Sequence, residues 1–281
     1  MPVRIVTDST SSIPVNVATE LGVSVIPLHV HFGNTGYREG IDLSTTEFYE
    51  LLGTSPDHPA TSQPNPAEFL EIYRQIDGVD DIVSIHLSTD LSKTIESARQ
   101  AAAQTSQRKV HVLDSRLVSV PLAFTVIAAA HAARAGATAQ EISQLVDDRA
   151  HRSHVAIVVP TLEYLKRGGR IGGASAYLGS LLNFKPVLEC RDGRVEPVTR
   201  VRSFGKAHAA LKEYVDTHAP NGVETWAILH ANAPEHRDRV RQEITDNLNA
   251  AGQTFDDIAI GPVLGTHAGP GAFGIAFVAS P

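Results

Sequence analysis

Hydroxyl groups are concentrated in three short segments of the sequence: residues 7–11 (Thr-Asp-Ser-Thr-Ser), 60–64 (Ala-Thr-Ser-Gln-Pro) and 91–94 (Leu-Ser-Lys-Thr). None of them contains an acid/base pair, so the pattern favours a binding site over a catalytic one. A fourth segment, residues 265–271, adds His267 in a glycine-rich bend, where the backbone can approach a ligand closely. Together these segments predict that a small acidic head group is held by hydrogen bonds.

The hydroxyl segments also have structural interpretations. Asp8 follows a buried-looking strand and could form an Asx turn, or Asp8 and Ser9 could lie in the crevice at the carboxyl end of that strand, where α/β folds bind ligands. Ser92 could be the N-cap of the helix that follows it, or part of an anion site at that helix start. Thr61 and Ser62 are predicted on an irregular loop, where no helix needs a cap.

Two basic clusters stand out in an otherwise acidic protein. Arg170 lies among glycines, and the clusters are Lys166, Arg167 and Arg170, and Arg200, Arg202 and Lys206. They could be ordinary solvated surface, or they could serve a phosphate group or an acidic partner.

Other functional motifs are absent or incomplete. Residues 269–274 match the glycine pattern of dinucleotide-binding folds, but no helix and no acidic residue follow at the required spacing. The histidine pairs at 29 and 31 and at 151 and 154 have no cysteine or carboxylate partners at ligand spacing. We therefore expect neither a nucleotide cofactor nor a metal.

Composition narrows the class of protein. The chain has 281 residues, 42% hydrophobic and 20% charged, which is enough to bury the cores of two domains. A net charge of −7 argues against an extended nucleic-acid interface. Cys190 is the single cysteine, so no internal disulfide can form, and no segment reaches the ~20 apolar residues of a membrane helix. We expect a cytoplasmic protein without stable membrane insertion.

The order of elements predicts an α/β fold in two domains. Residues 1–158 alternate β-branched strands with amphipathic helices, as in a mostly parallel sheet flanked by helices. The strands are predicted at 3–6, 23–30, 82–86, 110–113 and 155–159, and the helices at 92–107 and 120–134 and after the N-cap Asn65. Residues 159–281 predict an α+β layer with a mixed sheet. There a hairpin is expected at 187–198, helices at 205–217 and 234–248, and strands at 225–229, 258–263 and 274–278.

The motifs in this order resemble the DegV family over essentially the whole chain. The resemblance rests on residues 60–64, 112–116, 162–171, 181–186 and 265–267. It implies a two-domain protein that holds a long-chain fatty acid, such as palmitate or oleate, in an interior tunnel. It also implies similarity to the lipid-binding subunit of fatty acid kinase. A separate ATP-dependent kinase subunit would then phosphorylate the carboxyl group, and the acyl phosphate would enter phospholipid synthesis.

The resemblance assigns roles to individual residues. Thr61 and Ser92, with Ser62 beside them, would bind the fatty acid carboxylate, and His267 would complete the head-group network. Arg170 and Arg202 would lie near the entrance and contact phosphate or the kinase. Lys93 departs from the glycine that is usual after the motif serine.

Three functions stay open at this point. The protein could present a fatty acid to a kinase, without a catalytic set or a cofactor of its own. It could be a stand-alone phosphotransferase in which His267 acts on a small carbonyl substrate. It could also be a passive lipid buffer, which would make no use of the basic clusters.

Overall fold

The computed structural model describes residues 3–79, 81–106, 108–179, 184–248 and 250–281. Residues 181–183 of the predicted family motif lie outside these ranges. The strands are β1 Val3–Asp8, β2 Ser24–Ile26, β3 His29–Phe32, β4 Thr35–Arg38, β5 Ala60–Ser62, β6 Asp81–His86, β7 Lys109–Asp114, β8 Ser153–Val158, β9 Lys185–Arg191, β10 Arg194–Val201, β11 Val223–His230, β12 Phe255–Ala259 and β13 Phe273–Ala279. The α-helices are α1 Val15–Leu21, α2 Thr45–Thr54, α3 Pro66–Gln75, α4 Thr94–Ala102, α5 Val120–Arg134, α6 Ala139–Arg152, α7 Glu163–Arg167, α8 Phe204–His218, α9 Pro234–Glu243 and α10 Pro262–Ala268.

The first sheet is parallel, as the sequence predicted. Its four strands run in the order β2-β1-β6-β7, and every pairing is parallel. Helix α3 begins where its capping residues indicated: the Asn65 side chain accepts hydrogen bonds from the Ala67 and Glu68 amides, and Glu68 accepts one from the Asn65 amide. The sequence thus defines both the sheet and the start of this helix.

The second sheet is mixed, which confirms the expected fold class. Its six strands run in the order β10-β9-β8-β13-β11-β12, antiparallel except for the parallel pair β11 and β12. The predicted hairpin at 187–198 is β9 and β10. Strand β8, which we expected to complete the first half, pairs instead with β13 and β9. The predicted boundary at residue 158 remains a prediction, but the strand before it belongs to the second sheet.

Helix α5 lies between the two sheets. It contacts β1 of the first sheet and β8 and β13 of the second. Ten of its residues are buried, from Val120 to Ala130. A helix that is covered on all sides has no need of a polar face, which explains its alanine-rich apolar sequence.

A third, antiparallel sheet was not predicted. Its order is β4-β3-β5. The predicted strand 23–30 was wrong because Pro27 separates β2 from β3, and proline cannot donate to a strand ladder. Strand β5 pairs with β3, with Thr61 opposite Val30 and Ser62 opposite His29. Thr61 and Ser62 therefore lie on a short strand and not on an irregular loop.

Several other element boundaries differ from the prediction, and helix α4 also ends earlier than expected, at Ala102. Helix α4 begins at Thr94 with Lys93 at its N-cap position, so Ser92 is not the N-cap. Helix α9 ends at Glu243, and a 3₁₀ turn follows at Thr245–Asn247. The strand predicted at 258–263 ends at Ala259, since Pro262 begins helix α10, and His267 lies in the last turn of α10 and not in the bend after it.

Candidate functional site

An apolar cavity lies between the second sheet and the loops that follow strands β1, β6 and β7 of the first sheet. Its volume is about 1050 Å³, counting the space at its open mouth. Val155, Ile157 and Val159 line it together with Leu188 of β9 and Leu229 of β11. Because side chains alternate along a strand, Ala156 and Val158 of the same β8 segment face the opposite core, which α8 and α9 cover. Strand β8 thus forms one wall of the cavity.

Four of the predicted head-group residues line this cavity: Thr61, Ser62, Ser92 and His267. The Thr61 Oγ1 atom lies 2.9 Å from His267 Nε2, a contact between residues 206 positions apart in the sequence. Ser62 Oγ lies 2.9 Å from His31 Nε2 on the neighbouring strand. The structure therefore brings the polar motifs from three regions of the chain to one site.

Ser92 is held by the start of helix α4. Its hydroxyl accepts a hydrogen bond from the Thr94 amide at 3.3 Å and lies 2.9 Å from Thr94 Oγ1. The Lys93 side chain is 70% exposed and pairs with Glu96 at 3.2 Å. The lysine that departs from the family pattern therefore points to solvent and leaves the Ser92 hydroxyl free of its bulk.

Helix α10 is fixed in place by groups that are distant in sequence. The Val263 amide donates to Glu39 Oε1 at 2.8 Å, and the Tyr49 hydroxyl donates to the Ile260 carbonyl at 2.9 Å. Gly265 permits close packing, because a Cβ there would lie 2.7 Å from the Phe48 ring. These contacts set the position of His267 at the end of the helix.

His267 is neutral near pH 7. Burial, together with the smaller electrostatic effects of Arg170 and His58, lowers the pKa of His267 to about 4. Its Nδ1 atom is buried and has no hydrogen-bond partner within the described part of the chain. A Cβ at position 168 would lie 2.1 Å from this atom, so the glycine leaves the space that the ring occupies.

Arg170 lies beside the head-group residues, and Arg202 does not. Arg170 is half-buried, lines the cavity, and donates to the carbonyl oxygens of Leu91 at 3.0 Å and Gly168 at 2.7 Å. Arg202 is exposed and packs over the Phe184 ring at 5.4 Å from its centroid. Of the two predicted entrance residues, the structure brings only Arg170 to the cavity lining.

Asp8 and Ser9 lie next to the cavity without lining it. Asp8 is fully buried and accepts hydrogen bonds from the Thr10 amide, the Thr10 hydroxyl and the Leu87 amide, while His86 Nδ1 lies 2.9 Å from its Oδ2. Ser9 Oγ accepts from the Leu28 amide at 3.0 Å. Asp8 therefore forms the predicted Asx turn, and the neighbouring Thr10 lines the crevice instead.

Three further cavity residues were not singled out from the sequence. Thr10 was considered only as part of the hydroxyl segment 7–11, and Ser119 and Glu189 were assigned no role. Ser119 stands directly before a helix with proline at its second position, which reads as an ordinary N-cap signal. Glu189 is a buried acid that accepts a hydrogen bond from the Tyr214 hydroxyl at 2.7 Å, and an isolated acid in a strand carries no local signal of such a partner.

Metal binding and membrane insertion were considered for the described part of the chain only through its side chains and helices. No three of the His, Cys, Asp and Glu side chains described there could hold a metal ion together. None of the helices described is long and apolar enough to cross a membrane.

Comparison with known proteins adds a second line of observation. A family model described as "uncharacterised protein, DegV family" matches residues 2–280. A DegV domain-containing protein of Deinococcus radiodurans is 39% identical over 279 residues, which cover 98% of each chain. Two solved structures cover 100% of both chains: a DegV family protein from Thermus thermophilus described as binding fatty acid (33% identity, TM-score 0.92) and DegV of Bacillus subtilis, described as a fatty acid binding protein (31% identity, TM-score 0.91).

Proposed function

Since the chain belongs to the DegV family, we propose that it binds one long-chain fatty acid, with the acyl tail in the cavity and the carboxylate at Thr61, Ser62, Ser92 and His267. The observation that carries the proposal is the composition of the cavity wall. Most of the lining residues are apolar, and Thr61, Ser62, Ser92 and His267 add a small set of polar groups, of which Thr61 and His267 are in direct contact. This is the arrangement that a ligand with a long apolar tail and a single polar end requires.

The tail supplies most of the binding free energy. Burying roughly fifteen methylenes at ~0.8 kcal/mol each gives an upper bound of about 12 kcal/mol before the costs of association. An ionised carboxylate cannot be buried without hydrogen-bond partners, because its desolvation would offset much of this gain. The tail therefore supplies most of the affinity, and the head-group residues orient the ligand and add a smaller share of the affinity.

The hydroxyls of Thr61 and Ser92 can both direct their protons toward a carboxylate. With the proton of neutral His267 on Nε2, the ring donates to Thr61 Oγ1, and the Thr61 proton is free for the ligand. Nδ1 has no hydrogen-bond partner among the described residues, so no contact at that atom opposes this tautomer. At Ser92 the Thr94 amide and hydroxyl can both donate to Oγ, so the Ser92 proton is also free.

We further propose that the bound carboxyl group is presented to a separate ATP-dependent kinase subunit in the cytoplasm. Arg170 supports this role, because its guanidinium lies on the cavity lining next to the loop that carries Ser92. Arginine recognises phosphate through its planar fork, so Arg170 would stabilise charge that develops on the phosphorylated carboxyl. In this proposal the protein has no cofactor and no catalytic set of its own.

Lipid extraction tests the binding function. The purified protein is denatured and extracted, and mass analysis is expected to find about one long-chain fatty acid per chain. After delipidation, Ser92→Ala should bind palmitate at least about tenfold more weakly than wild type, because a hydrogen bond to a charged group is lost. Thr54→Ala, which removes an exposed hydroxyl on α2, is the control and should bind as wild type. Absence of extracted lipid together with failure to bind palmitate or oleate would refute the proposal.

A further inference from the structure

The cavity wall contains a hydroxyl that the head-group site does not use. Ser119 lines the cavity and is only 7% exposed. Its side chain makes no capping hydrogen bond to α5 and has no other partner among the residues that the structure describes. An acyl tail that fills the cavity would cover this hydroxyl without giving it a hydrogen bond, so a ligand group that bonds to it would remove that cost.

The backbone at Ser119 is also unusual. Its φ of 60° and ψ of −149° fall in a region that glycine adopts freely and that costs other residues about 1–3 kcal/mol. Glycine at this position would relieve the strain, and serine retains it while supplying the hydroxyl. The position is therefore one where the sequence keeps a polar side chain against a conformational preference.

Helix α5 begins directly after Ser119. The 15-residue helix directs its positive end toward this residue, and Pro121 in the first turn has no N–H to donate. The Leu122 amide is already bonded to the Ser119 carbonyl at 2.9 Å. An electron-rich oxygen is thus the ligand atom that this end of the helix favours.

Thr10 provides the complementary group on the neighbouring loop. The Ser119 amide donates to the Thr10 carbonyl at 2.9 Å, which joins the two loops at the carboxyl end of the first sheet. Thr10 also lines the cavity, and the proton of its hydroxyl is directed to Asp8 Oδ1 at 2.5 Å. Thr10 therefore offers the cavity only acceptor lone pairs, whereas Ser119 can donate.

We propose that Ser119 and Thr10 form a second polar subsite, which binds a hydroxyl group carried on the acyl chain. A chain hydroxyl would accept a hydrogen bond from Ser119 and donate one to Thr10. A keto group could use only the first of these bonds, so hydroxylated acids are preferred over their oxo counterparts. This inference rests on the proposed fatty acid-binding function and adds the chemical class of the preferred ligand.

The test compares stearate with a panel of monohydroxystearates and oxostearates that carry the oxygen at different chain positions. Affinities are measured on delipidated wild type, Ser119→Ala and Ser119→Gly. Thr125→Ala is the control, because it removes a buried hydroxyl of α5 that bonds to Pro121 and does not line the cavity.

We expect at least one hydroxystearate to bind wild type as tightly as stearate or more tightly, and more tightly than its oxo counterpart. Both Ser119 variants should weaken that isomer about tenfold and leave stearate within about twofold. Ser119→Gly should also unfold at a higher temperature than Ser119→Ala, which separates ligand recognition from stability. If wild type binds every hydroxystearate more weakly than stearate, or if the variants leave the isomer series unchanged, the subsite is refuted while fatty acid binding stands. Failure of stearate itself to bind would refute the binding function, and this inference with it.

Discussion

Replacement of Gly168 by alanine tests how the head-group site is assembled. An alanine Cβ would lie 2.1 Å from His267 Nδ1 and 2.6 Å from Cε1, well inside van der Waals contact. The histidine ring must therefore move by more than an ångström or the loop after α7 must shift. Because His267 Nε2 lies 2.9 Å from Thr61 Oγ1, a movement of this size breaks that hydrogen bond.

The cost of Gly168→Ala follows from two contributions. Overpacking a well-packed site costs about 1–3 kcal/mol, and loss of a buried hydrogen bond adds about 1 kcal/mol. For a chain of this size we expect the melting temperature to fall by about 3–7 °C. The affinity for palmitate should fall by about tenfold, since Thr61 no longer has the ring that holds its hydroxyl in place.

Thermal unfolding and palmitate titration measure these effects. Gly53→Ala is the matched control, because a Cβ at this helical position meets no atom within 4 Å and should stabilise the protein by about 0.5–1 kcal/mol. In the background of His267→Ala, which removes the ring, Gly168→Ala should cost much less than in wild type. If Gly168→Ala behaves as Gly53→Ala does, His267 is not held against this loop and the described assembly of the site is wrong.

Three further predictions concern titration, partner contact and thiol reactivity. Burial lowers the pKa of His208 to about 4. As pH falls from about 6.5 toward 4, the unfolded chain therefore takes up a proton before the folded protein does, and the free energy of unfolding decreases. In urea titrations, His208→Leu should make this decrease smaller. Arg170→Ala and Arg202→Ala should each retain fatty acid but lose most of the turnover with a cognate kinase subunit and ATP. Unchanged turnover in both variants would favour a passive lipid buffer. Burial raises the pKa of Cys190 to about 12, so iodoacetamide at pH 8 should alkylate it only after denaturation, and rapid labelling of the folded protein would contradict this.

Local sequence signals predicted local structure well. The Asn65 cap and the turn at Asp192 and Gly193 are determined by residues within a few positions, and helix α3 and the β9 to β10 hairpin formed where they indicated. The sequence motifs also identified five candidate site residues, and all five line one cavity in the structure: Thr61, Ser62, Ser92, Arg170 and His267.

Long-range pairing was not accessible from the sequence in the same way. Strand β8 has the apolar character of a parallel strand, and only its pairing with β13, more than 100 residues later, assigns it to the second sheet. Asp8 shows the same limit, because its partners His86 and Leu87 come from a strand 78 and 79 positions away. A pattern of short-range spacing cannot tell a buried brace from a ligand contact.

Ser119 and Thr10 were missed for a related reason. The sequence presents Ser119 as a helix cap, whereas the backbone conformation turns its hydroxyl away from that role. Thr10 lines the cavity, whereas its neighbours Asp8 and Ser9 do not. This difference is set by the turn that follows β1, which the residue types alone do not reveal.

A crystal structure of the protein loaded with palmitate is the most direct test of the binding mode. We predict one acyl chain in the cavity beside Val155, Ile157 and Leu188, with the carboxyl oxygens within hydrogen-bond distance of Thr61 and Ser92. A carboxyl group bound elsewhere, or a cavity that excludes palmitate, would contradict it.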